Sequence, residues 1–234
     1  MKTIDFLKKR WRWLLLAIIS VFIAYDAFIR YIDFDRSNFL TIFDGRFDVG
    51  SLSLFILYVH IFTSILALVV GPFQFWHWLL VEHKNIHRWL GRTYFYLGIF
   101  PGAIAGFIVA LGTNAGLTGV FGFSLLAIMW AITGVIALVA IRNGDVLAHK
   151  RWMYRNFALT FAAVTLRLWL PTLIVGQIFI GDVPEEEALM VAYQTIPWLC
   201  WVPNMIIAEW IINRTIPAGS RRKKTSRAAV AAAT

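Results

Sequence analysis

Cysteine is nearly absent from this chain: of 234 residues only Cys200 is one, and it lies inside an apolar segment. A single thiol supplies neither an internal disulfide nor a thiolate metal cluster, which excludes both within one chain. Charge is also scarce, at 15% of residues against 59% hydrophobic, and the mean hydropathy is +0.69. That balance is too apolar for an ordinary soluble domain, so the solvent for most of the chain is lipid. No Gly-x-x-x-x-Gly-Lys-Ser/Thr and no Gly-x-Gly-x-x-Gly following a strand occurs, and the ATP and NAD readings fail. The net charge of +9 would suit nucleic acid. The basic residues, however, come in short clusters between apolar segments with no folded domain to present them, which argues against that partner.

What is present is a series of apolar segments near 12–32, 51–76, 93–113, 118–141, 153–177 and 188–212. Each is long enough to cross about 30 Å of hydrocarbon at about 1.5 Å per residue. The expected fold is therefore all-α: a polytopic bundle of six transmembrane helices in one domain, 1–214, followed by a disordered basic tail, 215–234. Orientation follows from the connections. Lys2, Lys8, Lys9, Arg10 and Arg12 precede the first span, and Lys84, Arg88 and Arg92 fill the second connection. Arg142, Lys150, Arg151 and Arg155 fill the fourth, and Arg214, Arg221, Arg222, Lys223 and Lys224 mark the tail. The first connection carries Asp33, Asp35, Asp44 and Asp48 against Arg36 and Arg46. The third, Gly112 to Gly119, has no charge, and the fifth carries Asp182, Glu185, Glu186 and Glu187. Strict alternation puts the N-terminus and the C-terminus in the cytoplasm, with the chain multi-pass in a cell membrane, expected to be a bacterial inner membrane. The basic start and apolar run Leu14 to Ala24 look like a secretory signal, but no small-x-small site follows, so an uncleaved first span is expected.

Trp11, Trp13, Trp76, Trp78, Trp89, Trp152 and Trp210 fall near the inner boundary, which reads as an interfacial anchoring belt. Gly102, Gly106, Gly112 and Gly116 recur every four to six positions and read as a close-packing face. Pro171, Pro197 and Pro203 are expected to bend spans five and six and to free backbone carbonyls. Arg-Trp-x-x-Arg-x-aromatic occurs twice, at 88–94 and 151–157, each time just after a histidine. Either parallel hairpin repeats or the ordinary abundance of Arg and Trp at inner boundaries accounts for it.

Ionisable groups inside a bilayer are costly unless paired or hydrated, which makes Asp26, His60, Arg167 and Glu209, with Gln74, Asn156 and Asn204 as polar companions, the places to look for chemistry. Asp26 and Arg167 lie fifteen residues beyond Trp11 and Trp152, so an interhelical pair is expected; Asp26 with Arg30 at i,i+4 is the alternative. Glu209 is expected in a charge cluster with Arg92 and Arg155. His87 and His149 open spans three and five at one depth. Paired imidazoles at matched height suit the two faces of a haem b, with His60 as a spare ligand and Arg88, Arg92, Arg151 and Arg155 around the propionates. Zinc or another divalent metal held by His87 and His149 with His77 or His83 is the competing cofactor, and Asn85 reads as a helix cap between His83 and His87. Structural histidines bonded to backbone or headgroups are the third reading.

His60, Gly71-Pro72-Phe73-Gln74-Phe75, His87-Arg88-Trp89-Leu90-Gly91-Arg92-Thr93-Tyr94, Gly144-Asp145, His149-Lys150-Arg151-Trp152-Met153 and the run Ala158 to Leu168 together resemble an uncharacterised bacterial membrane-protein family, the domain of unknown function numbered 2306. The resemblance covers roughly residues 50 to 170 and implies that these polar residues form one unit. The arrangement is similar in architecture to cytochrome b561-type electron carriers. Spans four and six here hold no histidine, however, so one haem is the ceiling. The expected function is electron transfer by a membrane oxidoreductase between a quinol or other membrane donor and an acceptor. A small-molecule transporter or channel, and a zinc-binding or partner-binding subunit, are the alternatives. The lipid bilayer is the certain partner; a quinone, a second copy or a partner subunit are further candidates.

Overall fold

In hydrocarbon no water satisfies backbone N–H and C=O groups, and a helix is the one open element that satisfies its own. The computed structural model describes residues 2–34 and 51–216, with side chains described from Trp11, and contains helices and turns but no strand among the described residues. The acidic residues 35, 44 and 48 of the first connection and the tail beyond residue 216 lie outside the described residues, as do the side chains of the N-terminal lysines.

Ten α-helices make up the described chain: α1 Lys2–Tyr31, α2 Ser51–Val70, α3 His77–Val81, α4 Lys84–Arg92, α5 Phe100–Leu111, α6 Gly116–Arg142, α7 Val146–Thr160, α8 Ala162–Gly181, α9 Glu185–Leu199 and α10 Val202–Thr215. A 3₁₀ turn, Pro72–Phe75, closes α2, and a π-helical segment, Thr93–Ile99, joins α4 to α5. They combine into six segments long and apolar enough to cross a membrane: Trp11–Tyr31, Leu52–Phe75, Lys84–Leu111, Gly116–Arg142, Val146–Gly181 and Glu185–Thr215. Six crossings bring the end of α10 back to the face where α1 starts. That face carries the basic clusters.

Spans three and five begin earlier than their hydropathy suggests, at Lys84 and Val146 rather than near 93 and 153. Their first turns are charged but helical, because Lys and Arg run long stems along the helix and keep their heads at the interface. Asn85 is consequently an exposed residue of the first turn of α4, not a cap; His83 holds the N-cap position and caps nothing with its side chain. The start of span five is built by Gly144 at φ +73° and Asp145, whose Oδ1 accepts from the Ala148 amide at 2.9 Å.

Span six is interrupted between Pro197 and Pro203, as its prolines predict, with Pro203 in the first turn of α10, whereas span five is not interrupted at its proline. Pro171 sits inside the unbroken helix α8; span five breaks at Phe161 and span six at Cys200–Trp201. The π-helical segment precedes Pro101, whose missing N–H removes one donor from the helical ladder, and the amide of Phe100 reaches back to the Phe95 carbonyl. Gly112 and Gly116 belong to the turn between α5 and α6, with Gly116 at φ +65°, so only Gly102 and Gly106 of that series face a neighbouring helix.

Candidate functional site

Three polar layers stack along the bundle. The first lies at the basic face, where the connection Gly71–Trp76 seats spans one, three and five. Gly71 has no side chain because the Phe157 ring occupies the space, 2.5 Å from where a Cβ would stand. Phe75 packs on Tyr154 and Phe157 with ring centroids 5.0 and 5.5 Å away. The Trp13 indole donates to the Pro72 carbonyl at 2.8 Å and stacks on Trp76 at 5.5 Å. Gln74 is buried, 5% exposed, with its carboxamide against Gly91 of α4.

His87 lies one turn before Gly91 on the same helix face, the face that meets Gln74 at Gly91. His149 approaches from α7 and lies within electrostatic range of His87. The His149 Nδ1 sits 2.8 Å from the Ala137 carbonyl of α6. A carbonyl only accepts, so Nδ1 carries the proton and Nε2 keeps its lone pair. His87 differs: its Nδ1 is shielded from solvent and has no hydrogen-bond partner among the described residues.

The arginines around this pair are not equivalent. Arg155 makes a two-point ion pair with Glu209 of α10, Nε to Oε1 at 2.5 Å and Nη2 to Oε2 at 2.9 Å, and lies 4.5 Å over the Trp152 ring. That contact ties span five to span six, and Arg155 is committed to it. Arg92 takes no part in the pair, against the sequence expectation: it is exposed on α4 beside Arg88. Arg151 is half-buried. Trp89, at 65% exposed, faces the membrane boundary with Trp11 and Trp210. Trp13, Trp76 and Trp152 turn inward, so only part of the aromatic belt anchors in lipid.

The remaining histidines do not join the pair. His77 is exposed, and His83 packs on Trp78 with centroids 3.9 Å apart. Among the described residues no group of three His, Cys, Asp or Glu side chains gathers around a possible metal position. His60 lies in another layer altogether. Its Nδ1 donates to the Gly102 carbonyl at 2.8 Å. Gly102 is fifteen residues along span three from His87, about 22 Å of helix, which separates His60 from the His87–His149 pair.

The middle layer is a closed hydrogen-bond network that joins spans three, four and five. The Tyr94 hydroxyl donates to Asn156 Oδ1 at 2.8 Å, and the Asn156 amide donates to the Trp130 carbonyl at 2.8 Å and Thr133 Oγ1 at 2.9 Å. Thr160 Oγ1 accepts the Trp130 indole at 2.8 Å and sits 2.8 Å from the Tyr94 hydroxyl. Asn156 was the one member legible as polar within a span. Tyr94 and Thr160 lie in the stretches that carry the family resemblance, whereas Trp130 and Thr133 read as ordinary membrane-helix residues until the fold aligns them.

The outer layer holds Asp26, Arg30, Arg167 and His60. Arg30 Nε lies 3.0 Å from both Asp26 oxygens, and Arg167 Nε lies 3.9 Å from Oδ2. Asp26 therefore takes the i,i+4 partner and the interhelical one together. Arg167 also donates to the Ala163 carbonyl at 3.0 Å and lies within electrostatic range of His60. Between the layers, Asn204 Nδ2 donates to Ala158 O at 3.2 Å, Thr165 Oγ1 at 3.0 Å and Cys200 O at 3.0 Å, and Thr165 donates to Cys200 O. The carbonyl at the break of span six is thereby satisfied.

Residues 57–212 match a family model described as a predicted membrane protein, DUF2306. No curated protein and no solved structure matches the chain. The matched stretch runs from α2 to α10 and contains the seat at Gly71–Trp76, both interfacial histidines and the buried network: the chain is a multi-pass membrane protein and belongs to the DUF2306 family of predicted membrane proteins.

Proposed function

We propose that the chain is a membrane redox protein that holds one haem through His87 and His149 and passes electrons between a membrane donor such as quinol and an acceptor. The observation that carries this reading is that imidazoles from spans three and five lie within electrostatic range of each other, one with Nδ1 bonded to a backbone carbonyl and Nε2 left as a ligand nitrogen. Haem, when bound, supplies reversible one-electron chemistry. His87 and His149 would hold it, and Arg88, Arg92 and Arg151 would offer cations for the propionates; Arg155 is spent on Glu209. Orientation with the basic face toward the cytoplasm is part of the proposal.

The test is the visible spectrum of full-length protein purified from haem-replete cells. A Soret band is expected that disappears in His87→Ala and in His149→Ala but persists in His60→Ala, whose layer is distant. Colourless protein under those conditions rejects the reading. A transporter is the second reading, supported by the facing interruptions of spans five and six and the partly exposed Asp26–Arg167 layer. Solute uptake into vesicles that depends on Arg167 in colourless protein would establish it.

A further inference from the structure

Three nitrogen atoms near the basic face are shielded from solvent and have no hydrogen-bond partner among the described residues: Gln74 Nε2, Trp76 Nε1 and His87 Nδ1. A buried donor left unpaired forfeits its hydration without return, so three in one neighbourhood need an account. They belong to one neighbourhood. Gln74 and Trp76 are two residues apart on the same turn, and Gln74 packs on Gly91, one helical turn from His87. A Cβ at Gly91 would stand 3.2 Å from Gln74 Oε1, so the glycine lets α4 back closely onto the carboxamide.

The chemistry of the set selects its occupant. An amide and an indole N–H are neutral donors, and the imidazole presents one more nitrogen; the guanidinium groups of Arg88 and Arg92 are exposed on the same helix. A phosphate or carboxylate would be met by those cations. Arg88 lies within electrostatic range of His87, but the Gln74 amide and the Trp76 indole are neutral donors, and these suit a neutral acceptor, a carbonyl oxygen, which can receive two N–H groups at once. The surroundings are flat and aromatic: Trp13 lies 5.5 Å from Trp76, Phe73 6.2 Å and Trp78 5.1 Å, ring centroid to centroid. The level is that of the bilayer boundary, reachable from lipid past exposed Trp78, Ile86 and Trp89.

We infer that Gln74, Trp76 and His87 form a binding site for the carbonyl of a lipid-borne quinone. The site shares His87 with the haem reading but does not rest on it, because it uses Nδ1 and leaves Nε2 free for a metal.

The experiment uses full-length, haem-free protein in nanodiscs with ubiquinone-1 carrying ¹³C at its carbonyls, read by infrared difference spectroscopy and equilibrium binding. Saturable binding is expected, with the carbonyl band shifted to lower wavenumber relative to protein-free nanodiscs. Gln74→Leu and Trp76→Phe should each weaken binding about tenfold, the loss of one good hydrogen bond, while Arg214→Gln, at an exposed position of α10, leaves it unchanged. Gln74→Leu should unfold at the same temperature as wild type or higher without quinone, since it deletes an unpaired donor; that separates lost binding from lost folding. The inference is overturned by unsaturable binding, by an unshifted carbonyl, by equal affinity in both variants, or by spectra in which only water satisfies the three donors. Because the protein is haem-free, these outcomes are independent of the Soret test.

Discussion

Gly106 shows how a single position couples a span to its neighbour. A Cβ there would stand 2.6 Å from His60 Nδ1, the atom that donates to the Gly102 carbonyl, so the absence of a side chain on α5 is what lets the imidazole of α2 lie flat against it. Gly106→Ala is expected to drive His60 off that carbonyl and to destabilise the protein by about 1–3 kcal/mol, the range for overpacking. Thermal unfolding in detergent checks this, and the double variant Gly106→Ala/His60→Ala should be more stable than Gly106→Ala alone. A double variant no better than the single would mean that Gly106 matters for some other contact. The carbonyl of Gly102, the partner of His60, bears on the same pair: small residues here make room for a particular polar side chain as well as for close helix approach.

Among the elements, the twin interruptions of spans five and six are the most consequential. Phe161 and Cys200–Trp201 interrupt neighbouring helices, and Asn204 and Thr165 bridge them through Ala158 O and Cys200 O. Asn204→Leu removes the donor that serves both spans and is expected to cost about 1 kcal/mol in unfolding free energy. Thr165→Val should cost a similar amount. The two together should cost less than their sum, because they share the Cys200 carbonyl and each other. Pro171→Leu, inside an unbroken helix, should be neutral or slightly stabilising. Strict additivity of the first two, or a large loss at Pro171, would place the bend at the proline after all.

Across the bundle the charges divide by face, and this division carries the prediction about orientation. Lys150 is exposed at the basic end and Glu186 at the acidic end. In intact cells a membrane-impermeant maleimide should label Glu186→Cys and leave Lys150→Cys unlabelled until the membrane is opened. Buried Cys200 supplies no background. The reverse pattern would invert the protein in its membrane. The layers also divide the candidate chemistry: the His87–His149 pair and the outer Asp26–Arg167 pair lie at opposite ends, with the Tyr94–Asn156–Thr160 network closing the space between them. The proposed electron transfer would therefore use one end of the bundle, and the alternative, solute passage, would use all three layers.

The six spans were legible because period and length of an apolar run answer directly to bilayer thickness, and every connection agreed in charge. The depth of Asp26 and Arg167 was legible for the same reason, since helical rise converts sequence distance from a boundary tryptophan into height. Depth is not azimuth, however. His60 reads as a mid-span spare ligand for the histidine pair, whereas the fold bonds it to Gly102, and Arg92 reads as a partner of Glu209, whereas its helix turns it outward. The boundaries of spans three and five failed where charged residues continue a helix into the headgroups, which hydropathy counts as a connection. Membrane residence, the number of crossings and the layering of polar residues follow from one-dimensional quantities, hydrophobic length and charge order. Which side chains meet depends on helix rotation, on glycines that admit a neighbour and on interruptions that re-aim a turn, and these are set by packing between segments far apart in the chain.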